Sequence, residues 1–139
     1  MFGRRTYESL ASYWPNAAEQ EQAIARPLNT LPKYVASTTL AEPLRWQNST
    51  LPRGDIVEAV ASLRREDGRD LHLIGSSELA QMLIEHNLVD AFRVMIDPIL
   101  VGGGKRILRD DGALRPLRLV DSKVSTTGPI LATYAVNQD

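Results

Sequence analysis

The 139-residue chain contains no cysteine and only two histidines, His72 and His86. The first absence excludes a disulfide framework, a thiol nucleophile and any cysteine-based metal centre. The second leaves too few imidazoles for a histidine-rich one. Lysine is nearly as scarce: of 16 basic residues only Lys33, Lys105 and Lys123 are lysines, and the rest are arginines. The planar arginine fork suits a two-pronged contact to phosphate, although genome composition accounts for such an excess equally well. No apolar run approaches the roughly 20 residues of a membrane span. No secretory signal precedes the first helical pattern, so the default compartment is the cytoplasm. A formal net charge of −1 leaves no global attraction to nucleic acid or to an acidic membrane surface.

What is present suits one ordinary globular domain, 43% hydrophobic and 24% charged, long enough to bury a substantial core. Internal repeats, low-complexity stretches and a second-domain linker are absent. Tyr7, Leu10, Ala11 and Trp14 share one face of a short helix that Pro15 stops. Residues 16–32, with Pro27 and Pro32, read as a loop holding at most a helical turn. A strand follows at Lys33-Tyr34-Val35-Ala36-Ser37-Thr38, and a short one is expected near Ser49-Thr50-Leu51. Asp55 followed by Glu58 opens a helix carrying Ile56, Val57, Val60 and Leu63. Leu71-His72-Leu73-Ile74 reads as a buried strand, turned by Gly75-Ser76-Ser77 into a helix that Asn87 ends, with Leu88 folding back. Phe92–Ile96 is the next strand. The last part reads as a hairpin, Leu117–Ser125 and Ile130–Val136, turning around Thr127-Gly128-Pro129. Strands alternating with helices predict an α/β fold whose mixed, mostly parallel sheet is flanked by helices and closed by a C-terminal antiparallel hairpin.

Three turns carry residues suited to phosphate: Gly3-Arg4-Arg5-Thr6, Ser37-Thr38-Thr39 and Gly75-Ser76-Ser77. Ligands of open α/β sheets bind outside the carboxyl ends of the strands. There, helix N-termini offer unpaired N–H groups and partial positive charge. Each turn also has a plain reading, as a tight turn, a serine cap or a solvated arginine pair. Gly102-Gly103-Gly104 matches neither the phosphate-loop spacing nor the dinucleotide fingerprint and reads as a flexible loop. Asp90, Asp97, His72 and His86 suit turns, caps or surface positions, and none is assigned catalytic work.

The runs Gly3-Arg4-Arg5-Thr6-Tyr7-Glu8, Tyr13-Trp14-Pro15 and Pro32–Leu40 resemble the dihydrofolate-reductase-like family. So do Leu73-Ile74-Gly75-Ser76-Ser77-Glu78-Leu79, Leu88-Val89-Asp90 and Asp97–Arg106. Within that family the chain is most similar to the bacterial branch related to the reductase domain of the bifunctional riboflavin-biosynthesis enzyme. The resemblance runs through the whole chain in order. It implies a three-layer reductase fold, NADPH as cofactor, a small heterocyclic or carbonyl substrate such as a pterin, a folate or a riboflavin precursor, and a homodimer. By similarity, Gly3, Arg4, Arg5 and Thr6 would line the pyrophosphate and 2′-phosphate. Ser37 and Thr38 would meet the adenosine 2′-phosphate. Gly75, Ser76, Ser77, Glu78 and Leu79 would lie under the pyrophosphate and nicotinamide ribose. Gly103, Gly104 and Lys105 would approach the substrate. Gly75-Ser76 stands where dihydrofolate reductases carry a glycine pair.

The family also places a first strand and helix, about 40 to 55 residues, ahead of Gly3. Residues 1–139 are therefore expected to form one such domain lacking that front, as part of a longer chain. The alternatives are a nucleotide-binding or dimerising module that has lost its catalytic half, and a phosphate-binding domain with no redox role.

Overall fold

The computed structural model describes residues 1–137. The fold is mixed α/β, with a parallel sheet, an antiparallel sheet and helices. The chain divides into two compact units, Met1–Met82 and Leu83–Asp139.

The first unit begins with strand β1 (Phe2–Gly3), which runs directly into helix α1 (Arg4–Tyr13). The expected apolar stripe faces inward: Tyr7 and Ala11 are buried, and Leu10 and Trp14 pack against the same cluster. Pro15 sits in a 3-10 turn, Trp14–Asn16, at the end of the helix. Strands β2 (Lys33–Ala36) and β3 (Ser49–Thr50) complete a parallel sheet in the order β1-β2-β3. Phe2 and Gly3 lie opposite Val35 and Ala36, and Lys33 and Tyr34 opposite Ser49 and Thr50. Helix α3 (Ile56–Leu63) starts as expected, with the Asp55 carboxylate accepting from the N–H groups of Val57 and Glu58 at 2.9 and 3.0 Å.

Residues 16–32 depart from the sequence expectation. Gln22–Thr30 form a helix, α2, with Pro27 inside it. An internal proline removes one backbone donor and disfavours a helix by about 3 kcal/mol, so the compensation comes from packing. Ala25 is fully buried. The last carbonyls also find donors from afar: Lys33 Nζ donates to Leu28 and Leu31 at 2.9 Å, and Asn48 Nδ2 to Asn29 and Thr30 at 3.2 Å. Burial lowers the pKa of the Lys33 ammonium, which lies 4.8 Å from the centre of the Trp46 ring. Trp46 centres the core. Its ring stacks on Phe2 and lies tilted to Tyr7, its indole N–H donates to Asn29 at 2.7 Å, and its backbone N–H donates to the Tyr7 hydroxyl at 2.9 Å.

Residues 71–74 also differ from expectation: they form no assigned strand, and Leu71 and Ile74 are exposed. Two backbone bonds nevertheless tie the segment to the chain start. The Met1 ammonium donates to the His72 carbonyl at 2.5 Å, and the Ile74 N–H donates to the Met1 carbonyl at 3.3 Å. This is the bonding of one parallel bridge. Successive residues of a strand bond to opposite sides, so the segment lies on the edge of β1 away from β2.

Helix α4 (Ser77–Glu85) buries Leu79, Ala80 and Leu83. Its end follows the expected pattern: Asn87 takes φ 54°, and the Leu88 N–H returns to the Leu83 carbonyl at 2.9 Å.

The second unit holds an antiparallel sheet of β4 (Ala91–Ile96), β5 (Leu117–Val124) and β6 (Ile130–Val136), ordered β4-β6-β5. The predicted hairpin is β5-β6, with an irregularity between Leu119 and Asp121. Gly128, at φ 106°, makes its turn. Residues 97–116 carry no regular secondary structure. No helix among the described residues is long and apolar enough to cross a membrane.

Candidate functional site

Strands β1 and β2 and the segment 72–74 run parallel, so their carboxyl ends share one edge of the first unit. The three phosphate-suited turns follow those ends directly: Arg4 after Gly3, Ser37 after Ala36, and Gly75 after Ile74.

Two of the turns are joined. The Gly3 N–H donates to Ser76 Oγ at 2.8 Å, and that hydroxyl donates to the Ile74 carbonyl at 3.0 Å. The bridge holds Ser76 at φ 59°, a left-handed conformation that a serine adopts only with local support. Gly75, at φ 56°, packs against Thr6, whose methyl and hydroxyl would stand in ordinary contact, 3.4 Å, with an added Cβ. Gly3, Thr6, Gly75 and Ser76 thus form one contact group, with the N-termini of α1 and α4 on either side.

The two ends of α1 and α3 differ in a way that bears on ligands. Asp55 caps α3 with its carboxylate. Gly3 is the N-cap of α1, no side chain caps that helix, and its first turn holds no acidic residue. That turn carries Arg4 and Arg5 instead. Arg5 is exposed, while Arg4 lies along the helix and donates to Glu8 Oε2 at 3.1 Å. Unpaired N–H groups, the helix dipole and two guanidinium groups all favour an anion at the same place.

The remaining predicted residues fall in different settings. Ser37 is half-buried, and its hydroxyl accepts from the N–H groups of Thr39 and Leu40 at 3.1 and 3.0 Å, so it shapes its own turn; Thr38 is exposed. Ser77 and Glu78 open α4, Ser77 half-buried and Glu78 exposed. The Leu79 side chain is buried, which leaves only its backbone N–H to face a ligand. Gly103, Gly104 and Lys105 lie in the second unit, exposed in the segment without regular structure.

Sequence reasoning missed Arg45, whose guanidinium donates to the Glu8 carbonyl at 2.7 Å from a loop 37 residues away. No spacing rule connects the two; only the fold does. Among the described residues no group of three or more His, Cys, Asp or Glu is placed to hold a metal ion.

The model of the RibD C-terminal domain matches residues 1–132. The chain belongs to the RibD C-terminal domain family. A curated relative is the uncharacterized protein YyaP of Bacillus subtilis (strain 168), 28% identical over 140 residues, which covers 99% of this chain and 73% of YyaP. Two solved structures share the fold. The first is a Shewanella sp. PV-4 protein assigned to riboflavin biosynthesis, with TM-score 0.76 and 22% identity, over 99% of this chain and 72% of that one. The second is a pyrimidine reductase-like protein of Corynebacterium diphtheriae, with TM-score 0.51 and 17% identity, over 76% of this chain and 50% of that one.

Proposed function

We propose that this RibD C-terminal domain is the NADPH-binding part of a reductase acting on a small heterocyclic or carbonyl substrate, of the pterin, folate or riboflavin-precursor kind. The observation that carries the reading is the alignment of three phosphate-suited turns at the carboxyl edge of three parallel segments, beside an uncapped helix start bearing two arginines. The family and its reductase-like structural neighbours support the same class of chemistry.

The donor set fits the cofactor. Gly75, at φ 56°, lets a pyrophosphate approach the backbone in a conformation that other residues rarely adopt. Arg4 and Arg5 supply charge for a 2′-phosphate, with Ser37 and Thr38 following the neighbouring strand. Gly3, Thr6, Ser76, Ser77, Glu78 and the Leu79 N–H frame the pyrophosphate and ribose side. NADPH, when bound, supplies a hydride to an electron-poor carbon. The chain's own contribution is to bind and orient it: the Ser76 hydroxyl sets the spacing of two helix starts, and the turns hold fixed N–H dipoles toward the phosphates. Gly103, Gly104 and Lys105 are proposed to meet the substrate. Residues 1–139 are proposed to act as one such domain, in the cytoplasm and as a homodimer.

Calorimetric titration with NADPH, and with NADH as control, tests this. Selective NADPH binding is expected. Replacing both Arg4 and Arg5 with alanine should weaken NADPH at least tenfold while changing NADH little, since two charge-assisted contacts are lost only with the former. An equal loss for both would sink the 2′-phosphate assignment.

A further inference from the structure

Arg4 does not point freely from the start of α1. Its Nη1 donates to both carboxylate oxygens of Glu8, at 3.1 and 3.5 Å, one helical turn along. Arg45 reaches the same residue from its loop and donates to the Glu8 carbonyl at 2.7 Å. The Glu8 carboxylate is therefore held by Arg4, and its backbone carbonyl by Arg45, beside a helix start that no acid and no side-chain cap occupies.

Resting on the cofactor reading above, we propose that Glu8 is an internal competitor for the 2′-phosphate, a specificity-setting residue that occupies Arg4 until the phosphate takes its place. An exposed i,i+4 ion pair is weak, and these side chains are 41% and 40% exposed, so the pair exchanges readily. A phosphate dianion brings more charge and more acceptor oxygens than a carboxylate. It would also sit toward the positive end of α1, where an anion gains from the helix dipole, whereas Glu8 lies a full turn inside. The Glu8 charge remains well within one Debye length of any anion on Arg4, and so continues to oppose it. Both effects act most strongly on a 2′-phosphate held by Arg4 and less on a ligand without that group.

The test is calorimetry on the full chain with NADPH and NADH, comparing wild type, Glu8→Gln, Arg4→Ala and the double variant. Glutamine keeps the size and helix propensity of glutamate while removing its charge. Glu8→Gln is expected to tighten NADPH about two- to fivefold, to tighten NADH less, and to lose the difference between the two when Arg4 is alanine. Glu8→Ala should reproduce the NADPH gain if charge is the cause. Thermal melting of each variant reports whether the fold is intact. NADPH bound by wild type with the same affinity as by both Glu8 variants overturns the role of Glu8 and leaves the cofactor reading standing. Wild type that binds neither nucleotide overturns both.

Discussion

The two units of the chain are each built on three strands, yet they are held together by different forces. In the first, the strands are two to four residues long and make few ladder bonds. A cluster of Phe2, Tyr7, Ala11, Val35 and Trp46 carries the packing. In the second, strands of six to eight residues form a long antiparallel ladder with one irregularity, between Leu119 and Asp121. Of β5, all eight residues are exposed, and Ala132 is the buried residue of β6. Side-chain burial defines the first unit and backbone pairing defines the second. Because apolar burial is proportional to area removed from water, equal substitutions in the two units should have unequal effects.

The largest effect is expected at the centre of the first core. Trp46→Ala removes a side chain that is 1% exposed and touches two aromatic rings, so unfolding by denaturant, followed by circular dichroism, should show a loss of about 3–5 kcal/mol. A loss below about 1 kcal/mol would mean that this cluster does not hold the unit. Lys33→Met sharpens the same point. It leaves the Leu28 and Leu31 carbonyls without their Lys33 donor and should cost about 1–2 kcal/mol, with α2 fraying first in hydrogen exchange. An unchanged stability would show that burying the charge already offsets its hydrogen bonds. At the small end, Leu119→Ala on the 53% exposed face of β5 should change stability by about 0.5 kcal/mol or less. A Leu119 effect as large as that of Trp46 would break the comparison, because it would require that face to be covered in solution.

Much of the framework of both units was legible residue by residue. The stripe from Tyr7 to Trp14, the Asp55 cap, the Asn87 stop and the β5-β6 hairpin each follow from local rules, where a periodicity or a side-chain-to-backbone bond acts within a few residues. Residues 22–30 were not legible. Pro27 argues locally against a helix, and what outweighs it is a lysine from β2 and an asparagine 18 and 19 residues beyond the carbonyls it meets. Residues 71–74 erred the other way: an apolar run looks buried, but the described structure leaves Leu71 and Ile74 exposed. The candidate site shows the same division. Its three turns could be picked out singly, by glycine, hydroxyl and arginine content. The Ser76 bridge to Gly3, the close approach of Gly75 to Thr6, and Arg45 beside Glu8 could not.

By itself the sequence determined which segments become helix, strand or turn wherever the cause is local, and which functions its composition excludes. Tertiary structure alone decided that three separate turns stand on one edge, and that Arg45 reaches the Glu8 carbonyl beside it. The reason is physical: hydrophobic periodicity and capping act over a few residues, whereas contacts between Met1 and His72 or between Gly3 and Ser76 exist only after the chain has closed loops of more than 70 residues.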